Sequence, residues 1–538
     1  MIDTKALREK VLDLAIRGKL VPQDPNDEPA TVLLERIREQ KKQMVKEGKL
    51  KAKDIKNDTV IFKGDDNLHY EQFADGSVKC IEDEIPFELP EGWAWTRLVN
   101  VTSKIIDGSH NPPKASQKKT NYIMASSKNI NNDNLCNLDD VRYISKDEYE
   151  KENARTQVTI NDILLTTVAT LGRSCVFIGN VKNLTFQRSV SIITTFMKPE
   201  YLKYYFDASY FQKHIENNST GNAQKGFYLN QLEKVLVCMP PFSEQQRIAD
   251  CIERYNAIIS RLETDIKSVK DTISVVKSKI LDLAIRGKLV PQNPDDEPAS
   301  VLLERIRAEK EELIKAGKIK RDKKQSVIFK GDDNSYYRSG GKCTEKCEDL
   351  PFDLPKGWQW TSLGQCCEKV TDQVASGSFA ALRENVLSLK EPNYAIMVKT
   401  ADFSNNFTKN LTYTDKHGYE FLENSNLFGG ELILSNIGSI GKVFIVPDLK
   451  TKMTLAPNSV MIRLTNNECK DYLYYFLLSP TGYTELKAIS TGVAMLKFNK
   501  TDLKTIYFPL PPLVEQKRIV KAIETIFATL DAIATQVA

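Results

Sequence analysis

From Ile248 onward the apolar positions recur in alternating steps of four and three: Ile248, Ile252, Tyr255, Ile259, Leu262, Ile266, Val269, Ile273, Val276, Ile280 and Leu283. A seam sustained this long predicts one continuous helix that packs along a second helix. Gly287 and Pro291 end it, and roughly 44 residues at 1.5 Å each predict a length of roughly 65 Å. The seam returns at Ile519, Ile523, Ile526, Leu530, Ile533 and Val537, and Leu7, Val11 and Leu14 continue it in phase at the N-terminus. Glu244 to Leu281 spans 37 positions; Glu515 to the last residue and on from Met1 to Leu12 spans 35. The two terminal segments are therefore expected to rebuild a second copy of the central helix, antiparallel to the first. That gives a circular organisation about a pseudo-twofold axis, with an interior block at each end.

Between the helical seams the period changes. Val158–Ile160, Ile163–Val168, Cys175–Ile178 and Ser189–Thr195 read as short strands. Tyr201–Ser209 and Asp471–Ser479 read as helices, and their aromatic stripes are expected to be core. Loops rich in Asn, Ser, Thr, Gly and Lys separate these elements, for example Asp107–Lys114 and Asn222–Gly226. Short polar groups among cations are the chemistry that phosphates and base edges require, although an ordinary polar surface loop has the same composition.

The chain also repeats itself. Leu12-Asp-Leu-Ala-Ile-Arg-Gly-Lys-Leu-Val-Pro-Gln23 recurs unchanged as Leu281–Gln292, an offset of 269. Val32–Arg38 recurs as Val301–Arg307, Val60–Asn67 as Val327–Asn334, and Pro86–Thr96 closely as Pro351–Thr361. Ser219–Gly221 matches Ser490–Gly492, and Pro240–Ile248 matches Pro511–Ile519. A period near 270 residues is too long for a solenoid, so the copies are whole domains. The framework segments are nearly identical. The interior blocks, 97–240 and 362–511, share only a skeleton, in which Ile163–Arg173 loosely matches Leu432–Lys442. Equal frameworks suit two copies of one partner; unequal interiors suit two different targets.

The expected fold class is thus α/β (α+β): two mixed α/β domains joined by two long antiparallel coiled-coil helices. The segments are a helical framework and linker at 1–96, a first interior domain at 97–241, a central helix with linker at 242–361, a second interior domain at 362–512 and a C-terminal helix at 513–538.

Composition changes this picture little. The net charge is +4, from 75 Lys and Arg against 71 Asp and Glu, too mild to prove a polyanionic partner. The bias is local: the first block carries 18 basic and 13 acidic residues, the second 15 and 14. No apolar run reaches the roughly 18 residues of a spanning helix, and Met1–Lys10 has neither the apolar core nor the cleavage site of a secretory signal. Ten cysteines without a CxxC pair are expected as reduced thiols in a cytoplasm. Cys343, Cys347, Cys366 and Cys367 cluster, but with a CxxxC spacing, an adjacent pair and only four His in the chain they fit a zinc site poorly.

Catalytic motifs are degenerate or missing. Asn111-Pro-Pro113 lacks the aromatic residue of an amino-methyltransferase motif, having Lys114 instead, and no glycine-rich cofactor loop lies nearby. Gly438-Ser-Ile-Gly-Lys442 is too short for a phosphate-binding loop, and Pro447-Asp448 with Lys450 is too sparse for a nuclease. No paired-carboxylate constellation stands out. No catalytic residue and no metal site are expected.

Three repeated stretches carry a family resemblance: Leu-Ala-Ile-Arg-Gly-Lys-Leu-Val-Pro-Gln with Asp-Glu-Pro-Ala soon after, Leu-Pro-x-Gly-Trp-x-Trp before each block, and Pro-Pro-x-x-Glu-Gln-x-Arg-Ile after it. The chain resembles the specificity subunits of type I restriction–modification systems across essentially its whole length. The resemblance implies two target recognition domains, each reading half of a bipartite site in double-stranded DNA. It also implies that the helices dock two modification methyltransferase subunits and set the spacer, and that restriction subunits that cleave and translocate DNA join this core. S-adenosylmethionine would be held by the methyltransferase subunits and ATP with magnesium by the restriction subunits, with no cofactor in this chain, no membrane and a cytoplasmic location. By position, the DNA-reading candidates are Ser109, His110, Lys114, Thr170, Arg173, Asn222, Gln224 and Lys225 in the first domain. In the second they are Ser435, Asn436, Ser439, Lys442, Thr491 and Lys497. A non-catalytic coiled-coil adaptor, or a self-contained DNA methyltransferase or nuclease, are the alternative readings.

Overall fold

The structure is a computed structural model that describes residues 2–221, 225–321, 326–340, 343–347, 350–438, 440–492 and 495–537. The chain divides into two compact units, Ile2–Asp265 and Ile266–Ala538. Each gathers one framework and one interior block.

In the first unit the opening helix, Thr4–Ile16, is capped by Asp3, whose carboxylate accepts the Ala6 N–H at 2.9 Å. It ends at Gly18, which takes φ +64° while its N–H and that of Lys19 reach back to Ala15 and Leu14. A side chain at Gly18 would collide with the Pro90 ring, so the invariant Arg-Gly-Lys of the repeat has a steric reason. A helix, Ala30–Lys46, and a three-stranded antiparallel meander, Val60–Lys63, His69–Gln72 and Val78–Cys80, complete the framework. Strand Ala94–Arg97 then pairs antiparallel with Leu236–Met239, so the block leaves the framework and returns to it at one place.

Inside the block, Thr102–Asp107, Val190–Thr195, Ile163–Thr166 and Ser174–Val176 form an antiparallel sheet. Leu184–Phe186, Ile123–Ala125 and Arg142–Tyr143 form a smaller sheet whose first pair is parallel. Val158–Ile160 is a loop and not a strand: the left-handed residues Gln157 and Asn161 on either side break an extended run. Helix Pro199–Asp207 buries Tyr201, Tyr205 and Phe206, so the aromatic stripe is core. The Tyr201 hydroxyl donates to the Cys238 carbonyl at 3.1 Å.

The second unit repeats this order. Gln359–Ser362 pairs with Tyr507–Leu510. The main sheet holds Cys367–Asp372, Ser459–Leu464, Leu432–Ser435 and Val443–Ile445, and the smaller one centres on Ala395–Val398 parallel to Met453–Leu455. Helix Lys470–Leu478 buries Tyr472 and Phe476, and the Tyr472 hydroxyl donates to the Pro509 carbonyl at 2.9 Å.

The central helix runs unbroken through 44 residues, Phe242–Ile285, with the unit division inside it. Ile248, Ile252 and Ile259 on the seam are buried, and Leu262, Ile266, Val269, Ile273, Ile280 and Leu283 are half-buried. Half-burial is what a two-helix seam gives, because one neighbour covers only one side. Tyr255 and Val276 are exposed, and in the partner segments so are Leu7 and Ile533, which lie in the outer turns of their helices where cover thins. Val11, Leu14, Ile526 and Leu530 are half-buried, and Ile519 and Ile523 are buried.

Both pairings are antiparallel within their units. Arg8 donates to Asn256, Ser260 and Glu263, while Gln23, further along, reaches Glu244. In the second unit Lys277 meets Asp531 at 2.6 Å of the C-terminal helix Leu513–Val537, while Gln292 reaches Glu515 at its start. The N-terminal and C-terminal helices therefore each serve one half of the central helix. Among the described residues no helix is long and apolar enough to cross a membrane.

Candidate nucleic-acid interface

The candidate loops of the first domain are joined by backbone hydrogen bonds into one rim. Arg188 donates its N–H to the Ser109 carbonyl at 2.9 Å, and Thr167 donates to Ser189 at 3.0 Å. Ala169 donates to Lys225 at 3.1 Å and Phe227 to Thr167 at 2.8 Å. Val168 and Thr220 both bridge to Gly226. The segments around Ser109, Thr170 and Lys225 thus lie on a single surface, stitched through the turn 187–189.

The side chains on this rim differ in what they have free. Lys114, Arg173 and Lys225 are exposed, and Thr170 is half-buried. His110 is exposed, with Nε2 3.6 Å from the Asp107 carboxylate. Burial pushes the Asp107 carboxyl up, opposed by the Ser191 hydroxyl that donates to it at 2.6 Å. Ser109 is buried, and its hydroxyl donates to Glu152 at 2.9 Å. Its side chain ties the loop to Glu152. Pro113 is held by Arg142, whose guanidinium donates to its carbonyl at 2.5 Å. Asn222 and Gln224 lie outside the described residues.

The second domain reproduces the frame. Asn436 donates to the Asn458 carbonyl at 3.3 Å, Gly438 to Leu496 at 3.0 Å and Phe498 to Asn436 at 3.2 Å. Ile437 and Thr491 both bridge to Lys497. Lys442, Thr491 and Lys497 are exposed and Asn436 is half-buried. Ser435 is buried with its hydroxyl donating to Ile437 at 3.2 Å, so it too holds the loop. Ser439 lies outside the described residues.

Matching the two frames bond by bond pairs Thr167 with Asn436, Gly226 with Lys497 and Lys225 with Leu496, and the matched neighbours on either side set Arg188 against Pro457. The backbone is kept and the side chains it presents are exchanged. The turn 187–189 was absent from the sequence-derived candidates. Its sequence signal is the polar trio Gln-Arg-Ser between two apolar runs, against Ala-Pro-Asn in the other half.

Beneath the rim, Asp207 is buried against Lys203 at 2.7 Å and Ser174 at 3.3 Å, and burial pushes its carboxyl up to about 6. Cys366 is buried beside Thr361, and its thiol is pushed up to about 12. Among the described residues no group of three or more His, Cys, Asp or Glu is gathered closely enough to hold a metal ion.

Two loop-bearing α/β domains on repeated helical frameworks define a tandem recognition protein, in which one backbone presents two sets of side chains. Residues 90–270 and 355–537 each match the type I restriction modification DNA specificity domain, and the chain belongs to that family. Two such domains in one chain fit recognition of a two-part site. The specificity subunit of type I restriction enzyme EcoEI from Escherichia coli is 26% identical over 598 aligned positions, covering 98% of this chain and 89% of that one. That of EcoAI, also from Escherichia coli, is 30% identical over 412, covering 67% and 62%. A chain from a solved structure of a type I R-M system overlays with a TM-score of 0.48 at 16% identity, covering 84% of this chain and 94% of that one.

Proposed function

We propose that this chain is the non-catalytic DNA-specificity subunit of a type I restriction–modification complex, with each interior domain reading one half of a bipartite site in double-stranded DNA. The observation that carries the reading is the shared frame with exchanged side chains: Gly226 stands against Lys497 on matching bridges, and Arg188 against Pro457 between flanking residues whose hydrogen bonds match. Phosphate contacts position a protein on a duplex and side chains at base edges specify sequence, so one frame with two side-chain sets suits two half-sites. The repeated framework suits two identical partners. In this reading the helices dock two modification methyltransferase subunits and fix the spacer, and restriction and translocase subunits join that assembly. S-adenosylmethionine belongs to the methyltransferase subunits and ATP with magnesium to the restriction subunits. The complex works in the cytoplasm.

The test is a domain exchange. Residues 97–240 are replaced by the matching block of a relative, the complex is assembled with its methyltransferase subunits, and modified sites are mapped by sequencing. One half-site is expected to change while the other and the spacer stay. Both half-sites changing together would overturn the modular reading, and methylation by the purified single chain would overturn the non-catalytic one.

A further inference from the structure

The turn at 187–189 has properties that its neighbours do not combine. Its backbone is fixed at four points: Gln187 donates to Ala125 at 2.8 Å, Arg188 to Ser109 at 2.9 Å, Val190 back to Gln187 at 3.0 Å, and Thr167 to the Ser189 carbonyl at 3.0 Å. The Ser189 hydroxyl also accepts the Ser127 N–H at 3.1 Å. The Arg188 side chain is exposed on this rigid base, and among the described residues no side-chain hydrogen bond or ion pair engages it. Two carboxylates tied to the neighbouring Ser109 loop are otherwise occupied: Glu152 accepts from Ser109, and Asp107 accepts from Ser191 with His110 beside it. Arg188 is also central, bonded through its backbone to the Ser109 loop and, one residue on, to the loop that carries Thr170 and Arg173.

The second domain shows what is variable there. Its smaller sheet has the same parallel pair, and Ala456 donates to Val398 as Gln187 does to Ala125. The residue at the tip is Pro457, which has neither a cation nor an N–H, and exposed cations of that frame stand elsewhere, at Lys442 and Lys497. The flanking bonds of the turn are kept, Gln187 to Ala125 as Ala456 to Val398 and Thr167 to Ser189 as Asn436 to Asn458, while the charge at its tip is not, as expected of a position that distinguishes one target from another.

We propose that Arg188 is a specificity-determining residue of the first domain and that it reads a guanine through its major-groove edge. A guanidinium held on a fixed turn presents two parallel donors, which match guanine O6 and N7 and no other base edge. This inference rests on the proposed function, and its experiment separates the two.

Complexes carrying the wild-type chain, Arg188→Ala and Arg188→Lys are each assembled with methyltransferase subunits, and modified sites are mapped across a randomised DNA library. The half-site of the first domain is assigned beforehand by the exchange of residues 97–240. Wild type is expected to require G·C at one position of that half-site. Arg188→Ala is expected to relax that requirement by roughly ten- to a hundredfold, with the other positions and the second half-site unchanged. Arg188→Lys, which keeps the charge and loses the fork, is expected to relax it as well. Unchanged preference in both variants would overturn the inference. So would a uniform loss of modification at every sequence, which marks a phosphate contact. A wild-type complex that modifies no bipartite site would overturn the underlying reading.

Discussion

The indole N–H of Trp93 donates to the carboxylate of Glu244 at 2.9 Å, joining the residue just before strand Ala94–Arg97 to the first turn of the central helix. Glu244 also accepts from Gln23 at 3.2 Å, and Arg247 one turn on pairs with Asp27 at 2.6 Å. The second unit repeats each bond: Trp358 to Glu515 at 3.0 Å, Gln292 to Glu515 at 3.3 Å, and Arg518 to Asp296 at 2.6 Å. Burial raises both glutamates, and the indole and amide donors oppose it. Trp93→Phe is therefore expected to leave a buried carboxylate short of a donor and to cost about 2 kcal/mol. Trp358→Phe should cost a similar amount, and urea denaturation of the full chain checks both. No change in midpoint would show that the carboxylates find other donors.

Gly18 and Gly48 both end helices at positive φ, +64° and +72°, but only Gly18 faces packed neighbours, the Pro90 ring and Trp93. Gly48→Ala should cost about 1 kcal/mol for the left-handed backbone alone. Gly18→Ala should cost at least about 1 kcal/mol more, because the methyl group must displace packed atoms. The same order is expected for Gly317→Ala and Gly287→Ala, whose surroundings match. Thermal melts of the four variants decide it.

Asp207 sets a pH dependence. Its carboxyl titrates near 6 in the folded chain against an ordinary value of 3.8, with burial as the main cause and Lys203 opposing it. A raised carboxyl means that the folded state binds more protons than the unfolded state between these values. Its contribution to stability is complete below pH 3.8 and is lost as pH rises through about 6. The urea midpoint of wild type should fall across this window relative to Asp207→Asn, which cannot titrate. Parallel profiles for the two proteins would rule out Asp207 as the titrating group.

Lys497 is an exposed cation of the second rim, bridged to Ile437 and Thr491. With the proposed function in force, Lys497→Ala should weaken DNA binding by the assembled complex. If its partner is a phosphate, the salt dependence, log K against log salt, should become shallower by about 0.9. The half-site read by the first domain should be unaffected. Binding titrations at several salt concentrations test the slope.

Much of the site was legible in the sequence only as a neighbourhood. The divergent blocks, the polar loops and the pairing of 163–173 with 432–442 could be read directly, because repeats and polar clusters are local or alignable properties. The burial of Ser109 and Ser435 and their bonds within the loops were not legible on that basis, since a serine that holds a loop and one that faces a ligand have the same local sequence. Arg188 was missed because it stands between two strands of different sheets, Leu184–Phe186 and Val190–Thr195, and only their pairing brings it between the other loops. Val158–Ile160 has the composition of a strand but no partner, and the left-handed residues beside it decide against one.

The long central helix, its end near Gly287, the phase shared with both termini and the duplication of the whole framework were all readable before folding. These follow from the period of apolar residues and from identity at a fixed offset, and neither needs a neighbour in space. Tertiary structure alone decided which polar side chains remain available at the rim. It showed that Glu244 and Glu515 anchor each domain through an indole, and that Gly226 and Lys497 take equivalent positions in the two domains. Burial and long-range hydrogen bonding join segments distant in the chain, 43 residues for Ser109 and Glu152 and 151 for Trp93 and Glu244, and that information exists only once the chain has folded.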